Sequence, residues 1–263
     1  DKFGRVWRKH EQKIEKNCGR MIQEGDIFVI TGDHSWGKTR TEASRDLDFI
    51  AALPGKKILL RGNHDMFWDA KKTAALNREY EPRLHFLQNN YYTYRDYALV
   101  GTKGYTFEGP FYVNAGGQII GWDSEDEAHA QKLVQREAER LRTSFEAAKA
   151  AGFRKYIMFL HYPPTSVLEN ESIFTEMAEE YGAEHVVYSH CHGEKRFADS
   201  IRGMHHGIHY HLVSGDYLNF KPEKILDWLE KNRACQHAVV VCSGDTGFYS
   251  GSGSLMRELK PSR

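Results

Sequence analysis

The chain has 263 residues, 40% of them hydrophobic and 27% charged, and its 36 acidic side chains balance 36 basic ones. Such a composition suits one core-burying domain, alone or with a small appendage, and zero net charge gives no support for a general nucleic-acid or membrane-surface binder. No apolar run nears the roughly 20 residues that span a bilayer, and four cysteines without paired spacing (Cys18, Cys191, Cys235, Cys242) argue against a disulfide scaffold and for a reducing compartment, the cytoplasm.

The start, Asp1-Lys2-Phe3, has neither a methionine nor a signal peptide, so the chain is expected to begin inside a longer reading frame. Residues 5–23 read as an amphipathic helix. Residues 26–31 form a strand ending in Gly32-Asp33-His34, and residues 39–53 form a helix stopped by Pro54-Gly55. Next comes Ile58-Leu59-Leu60-Arg61-Gly62-Asn63-His64-Asp65, a run of branched aliphatics entering a glycine-led turn. Such a run is the mark of a strand buried on both faces. Strand, helix, strand favours parallel pairing with a right-handed crossover. Ligands of such sheets bind beyond the carboxyl ends of the strands. There Asn63 offers a neutral oxygen, His64 a proton shuttle, and Asp65 a carboxylate to orient that imidazole.

Residues 66–80 suggest another helix, and 84–87, 91–94 and 97–101 short strands with tight turns. Residues 103–123 read as a loop. A capping box at Ser124–Glu127 starts a long helix to about residue 151. Residues 155–160 form a buried strand delivering His161-Tyr162-Pro163-Pro164. A short helix follows over 171–181, and a strand over 186–188 ends in Ser189-His190-Cys191-His192-Gly193. Residues 208–213 give one more strand, whose alternation sets His209 and His211 on a face read as solvated. A helix is expected over 222–232 and a strand over 238–242.

Asp33, Asn63, His161, His190 and His192 therefore all follow strands. Their oxygen and nitrogen donors suit Mn, Fe, Zn, Co or Ni. Two such ions about 3.5–4 Å apart can hold a phosphoryl group and create a hydroxide near neutral pH. Each element alone has a plainer explanation, as turn residue, strand cap or polar loop. Four coincidences of order and strand-end placement are harder to explain that way.

Gly32-Asp33, Gly62-Asn63-His64-Asp65, His161 and His190-Cys191-His192-Gly193, in this order, resemble the calcineurin-like metallophosphoesterase family. Over about residues 3–226 the chain is similar to that family's bacterial predicted phosphohydrolases. The pieces that carry this are Phe3-Gly4, Leu53-Pro54-Gly55, Leu87-Gln88-Asn89-Asn90, His161-Tyr162-Pro163-Pro164 and the run from Asp216 to Pro222. The resemblance implies two mixed sheets packed face to face with helices on both outer sides. It implies two divalent metal ions, with Asp33 bridging, Asn63, His161 and His190 completing one site, and His192 in the other. His64, paired with Asp65, would stabilise the transition state or protonate the leaving oxygen, and the nucleophile would be metal-activated hydroxide.

One part of the family pattern is missing. The family opens with a strand carrying Asp-x-His, which completes the second site, and no such motif precedes Asp33. Truncation is the favoured explanation, because loss of a central strand would leave unpaired backbone in the sheet. As it stands the second site is incomplete. His34 could supply an imidazole, but nothing in the family pattern supports it, and Cys191 is expected to point away as a small buried residue.

Residues 227–263 read as a separate appendage after a phosphoesterase domain over 1–226. The run Ala238–Gly251, with Asp245, resembles a fragment of cobalamin-pathway precorrin methyltransferases, too short to build their site. The leading expectation is a phosphomonoester or phosphodiester hydrolase, with a phosphorylated substrate of unknown type. The alternative is a non-catalytic protein of the same fold binding one metal or none. A methyltransferase rests on the tail alone.

Overall fold

The computed structural model describes residues 5–105, 112–113, 119–120, 124–167, 169, 171–227 and 238–242. Six α-helices run in chain order: α1 (His10–Met21), α2 (Arg40–Ala52), α3 (Thr73–Tyr80), α4 (Ser124–Ala150), α5 (Ile173–Tyr181) and α6 (Glu194–Ala198). The strands are β1 (Ile27–Ile30), β2 (Lys56–Leu60), β3 (Leu84–Leu87), β4 (Tyr91–Tyr94), β5 (Tyr97–Thr102), β6 (Tyr112–Val113), β7 (Ile119–Ile120), β8 (Lys155–Leu160), β9 (Ala183–Tyr188), β10 (Gly203–His205), β11 (Ile208–Leu212), β12 (Glu223–Asp227) and β13 (Ala238–Cys242). One sheet has the order β12-β13-β1-β2-β3 and the other β10-β11-β9-β8-β5-β4, while β6 and β7 form a small ladder of their own. Both large sheets are mixed: the first is parallel except for its antiparallel β12–β13 edge, and the second is parallel in the middle with an antiparallel pair at each edge.

Strand periodicity sorts the apolar side chains into three cores. On one face of the first sheet Phe28, Ile30, Leu59 and Phe86 meet Cys18 of α1, Leu47 and Ile50 of α2 and Leu76 of α3. On its other face Val29, Ile58 and Leu60 meet Leu99, Ile157, Phe159 and Val187 of the second sheet. Beyond that sheet Val100, Met158, Leu160 and Val186 meet Leu141 and Phe145 of α4 and Phe174 and Met177 of α5. The result is helices, sheet, sheet, helices, as expected from the sequence. Each fully buried side chain of this size contributes about 1.5–3 kcal/mol.

Local chemistry sets the helix ends. Thr39 accepts from the Glu42 N–H while the Glu42 carboxylate reaches back, closing a capping box on α2. Ser172 caps α5, and Gly182 ends it in the left-handed region at φ 68°. The box expected at 124–127 lies outside the described side chains, as do Asp245 and the glycine-rich 243–251 stretch.

Two expectations are corrected. The helix read over 222–232 is, where described, the strand β12, which pairs antiparallel with β13 and shifts register between Lys224 and Leu226. Nor is β1 left with an unpaired side. It lies between β2 and β13, and β13 runs parallel to it with Ile27 opposite Val239 and Ile30 opposite Cys242.

Candidate metal centre

Four loops meet where β1 and β2 of the first sheet and β8 and β9 of the second all end. Hydroxyls stitch the two sheets together there: Thr31 Oγ1 donates to Ser189 Oγ (2.9 Å), and Ser189 Oγ donates to the Thr31 carbonyl (3.2 Å). Glycine permits the close approach. A Cβ on Gly62 would lie 2.1 Å from Asp33 Oδ1, and one on Gly32 would lie 2.5 Å from His161 Nδ1. Asp33 (φ 58°) and His190 (φ 68°) are themselves left-handed. Non-glycine residues rarely adopt that backbone, at a cost of order 1–3 kcal/mol each, and such strain gathers at functional sites.

Asp33, His161 and His190 bring ligand atoms within 4.8 Å of one another. Nε2 of His161 lies 2.7 Å from Asn63 Oδ1, 3.1 Å from His190 Nδ1 and 3.6 Å from Asp33 Oδ2. Nδ1 of His161 faces the Thr31 carbonyl at 2.9 Å. A carbonyl only accepts, so Nδ1 carries the proton. Burial first, and then the neighbouring His190, hold the His161 pKa well below its usual value, so the ring is neutral and Nε2 is a bare lone pair. That nitrogen converges with the Asn63 amide at 2.7 Å, the His190 ring and the Asp33 carboxylate, a donor set that a divalent cation can bridge. The donor set and its backbone-fixed tautomer therefore fit a divalent ion.

Asp65 does not pair with His64. Its buried carboxylate accepts from the backbone N–H groups of Asp33 (2.9 Å), His34 (2.7 Å), Ser35 (3.2 Å) and Gly62 (2.7 Å), and from His34 Nδ1 (2.9 Å). Burial pushes its pKa up, but the contact with His34 and these N–H donors outweigh that and hold it below the usual carboxylate value. The tight turn aims consecutive side chains apart, so Asp65 points under the 33–35 loop. His64 instead stacks its ring on Trp36 (centroids 4.7 Å, planes 20° apart), and its backbone N–H donates to Asp33 Oδ1 at 2.9 Å.

His192 lies outside the three-ligand group. Its Nδ1 faces Asp216 Oδ1 at 2.9 Å, Asp216 Oδ2 accepts from the Gly193 N–H, and the Trp7 ring meets its edge at 5.3 Å. A carboxylate on Nδ1 is how ligand histidines are commonly oriented. Among the described residues, no second group of three ligands forms at this end. Cys191 is buried in the outer core near Tyr188 and Ile201.

Sequence reasoning missed Trp36, Asp216 and the full role of Asp65. Asp216 carried a faint signal, following a glycine as Asp33 does. Nothing in the sequence marks a ring that will stack on His64.

Carboxylate, amide and imidazole ligands at the strand ends of a two-sheet sandwich define a divalent-metal-binding α/β protein. Residues 1–194 match the calcineurin-like phosphoesterase family, and the chain belongs to it. Members of that family are generally metal-dependent phosphoester hydrolases and typically bind two divalent ions. Among solved structures, the chain is similar to TT1561 of Thermus thermophilus, at 10% identity and a TM-score of 0.43, over 74% of this chain and 82% of that one. No curated protein matches the chain.

Proposed function

We propose that the protein hydrolyses a phosphomonoester or phosphodiester, using Asp33, Asn63, His161 and His190 to hold one divalent ion. The observation that carries this reading is the bare, buried Nε2 of His161 facing an amide oxygen, an imidazole and a carboxylate. A bound ion of the Mn, Fe, Zn, Co or Ni type supplies Lewis acidity to phosphoryl oxygens and lowers the pKa of water. On this reading Asp33 and His192 contribute to a second ion, the role that the family resemblance implies for them. Half-buried at the mouth, with its ring braced on Trp36, His64 is the group to donate a proton to the leaving oxygen or a hydrogen bond to the transition state. Asp65 is a positioning residue, holding the Asp33 loop against the Gly62 turn. The reading places the protein in a reducing compartment, the cytoplasm, on the unpaired spacing of its four cysteines.

The test uses nitrophenyl phosphate and bis(nitrophenyl) phosphate with added manganese. Turnover should require the metal, and His64→Ala should lower the rate about 10²–10⁴-fold. Unchanged rates in His64→Ala and His161→Ala overturn the proposal. A non-catalytic, one-metal protein is the second reading, favoured by the single three-ligand group among the described residues at this end. Metal counting separates the two, since that reading allows one ion here at most.

A further inference from the structure

A second cluster of imidazoles lies on the strands β9 and β11 themselves. In the parallel pair β9 and β11, His209 sits opposite His185 and His211 opposite Val187. Toward β8 the register shifts just before His185, with Tyr156 opposite Ala183 and Ile157 opposite His185, and from His185 onward β9 pairs regularly on both sides. His185 then shares the face of Val187, toward the first sheet, while Val186 and Tyr188 face the helices. His209 and His211 lie on that same inner side, opposite Ile208, Tyr210 and Leu212. The face is therefore not the solvated one read from the sequence. His211 is only 8% exposed, and the other two rings are half-buried.

We propose that His185, His209 and His211 form a separate binding site for an imidazole-preferring divalent cation such as zinc. Each ring offers a nitrogen, and the three lie within 4.8 Å of one another. Nδ1 of His185 is 3.1 Å from Nε2 of His211. Two nitrogens on a tetrahedral zinc, with bonds of about 2.0–2.1 Å, stand about 3.3 Å apart, so this pair is already near the required spacing. Nδ1 of His211 meets Glu223 Oε1 at 2.8 Å. The carboxylate accepts, so the proton sits on Nδ1 and Nε2 is free to ligate, the carboxylate–histidine arrangement of metal sites.

Glu223 opens β12 at the edge of the first sheet, whereas the three histidines belong to the second. An ion here would clasp the two sheet edges. From His185 to His190 is five residues along β9 and its exit, about 16 Å at strand rise, so the two centres share no ligand.

The experiment titrates zinc sulfate alone into the metal-stripped full chain, by calorimetry, and follows thermal unfolding. The wild-type chain is compared with His185→Asn/His209→Asn and with the single His209→Ala, at a half-exposed position that tolerates truncation. Both variants are expected to bind one zinc equivalent fewer and to lose part of the zinc-induced rise in Tm, while manganese-dependent esterase activity is unchanged. Glu223→Gln is expected to keep the equivalent but weaken it about 10–100-fold. Full zinc stoichiometry and wild-type affinity in His209→Ala and the double variant overturn the proposal.

Discussion

The two imidazole clusters are built on opposite terms. Around Asp33 and His161 every ligand comes from a different loop, two ligand residues hold left-handed backbone, and two glycines admit contacts that a Cβ would forbid. Around His185 and His211 all three ligands sit on regular strands, and none has a positive φ. A main-chain carbonyl fixes the tautomer in the first cluster, and the side chain of Glu223 does so in the second. Strain is needed where donors from several loops must converge on one point. Where the period of a strand and the register of its neighbour already align the rings, backbone geometry supplies the convergence without it.

That contrast can be broken from one side. Asp65→Ala would strip the acceptor from four backbone N–H groups and from His34. It should cost about 3–5 kcal/mol, the range for breaking a buried ion pair, read from urea unfolding at neutral pH. It should also remove metal from the Asp33 centre while zinc binding at His185, His209 and His211 persists. Loss of both together would mean that the clusters are not independent.

Gly62→Ala is milder for the fold and specific for the first centre. Its methyl group would collide with the Asp33 carboxylate. Displacing that ligand by about 1 Å should lower the esterase rate about 10²-fold, as measured by steady-state kinetics. No glycine plays that part at the second cluster among the described residues, so its zinc affinity should not move.

The smallest effect belongs to a histidine in neither cluster. His85 faces Glu81 at 2.7 Å and the Tyr92 ring at 4.8 Å. Burial lowers its pKa, with Glu81 opposing. A depressed imidazole pKa means that the folded state disfavours the charged ring. Stability is therefore intact above the ordinary value near 6.5 and falls as the pH drops through that value toward the folded one. His85→Gln should flatten this fall slightly between about pH 7 and 5 in urea midpoints, with or without zinc. A slope identical to wild type would show that this ring is not felt.

Much of the first centre could be read from the chain because Asp33, Asn63, His161 and His190 each follow a run of apolar residues, and runs of that kind end at sheet edges. The partner of Asp65 could not be read. Spacing along a turn does not say which way a carboxylate points, and its neighbour His64 was the natural but mistaken choice. Residues 223–227 read as the start of a helix, and pairing with β13, distant in the chain, makes them a strand. His209 and His211 were visible as a period of two. His185 was not, since it joins them only through cross-strand register.

Placing β13 beside β1 has a consequence for biogenesis. A hydrogen-bonded neighbour of the strand that leads to Asp33 comes from far later in the chain, with Val239 opposite Ile27. While the polypeptide is still emerging from the ribosome, β1 must wait with one edge bare. That exposed ladder is an invitation to wrong pairing, so nascent chains halted before residue 238 should be the ones that chaperones hold longest.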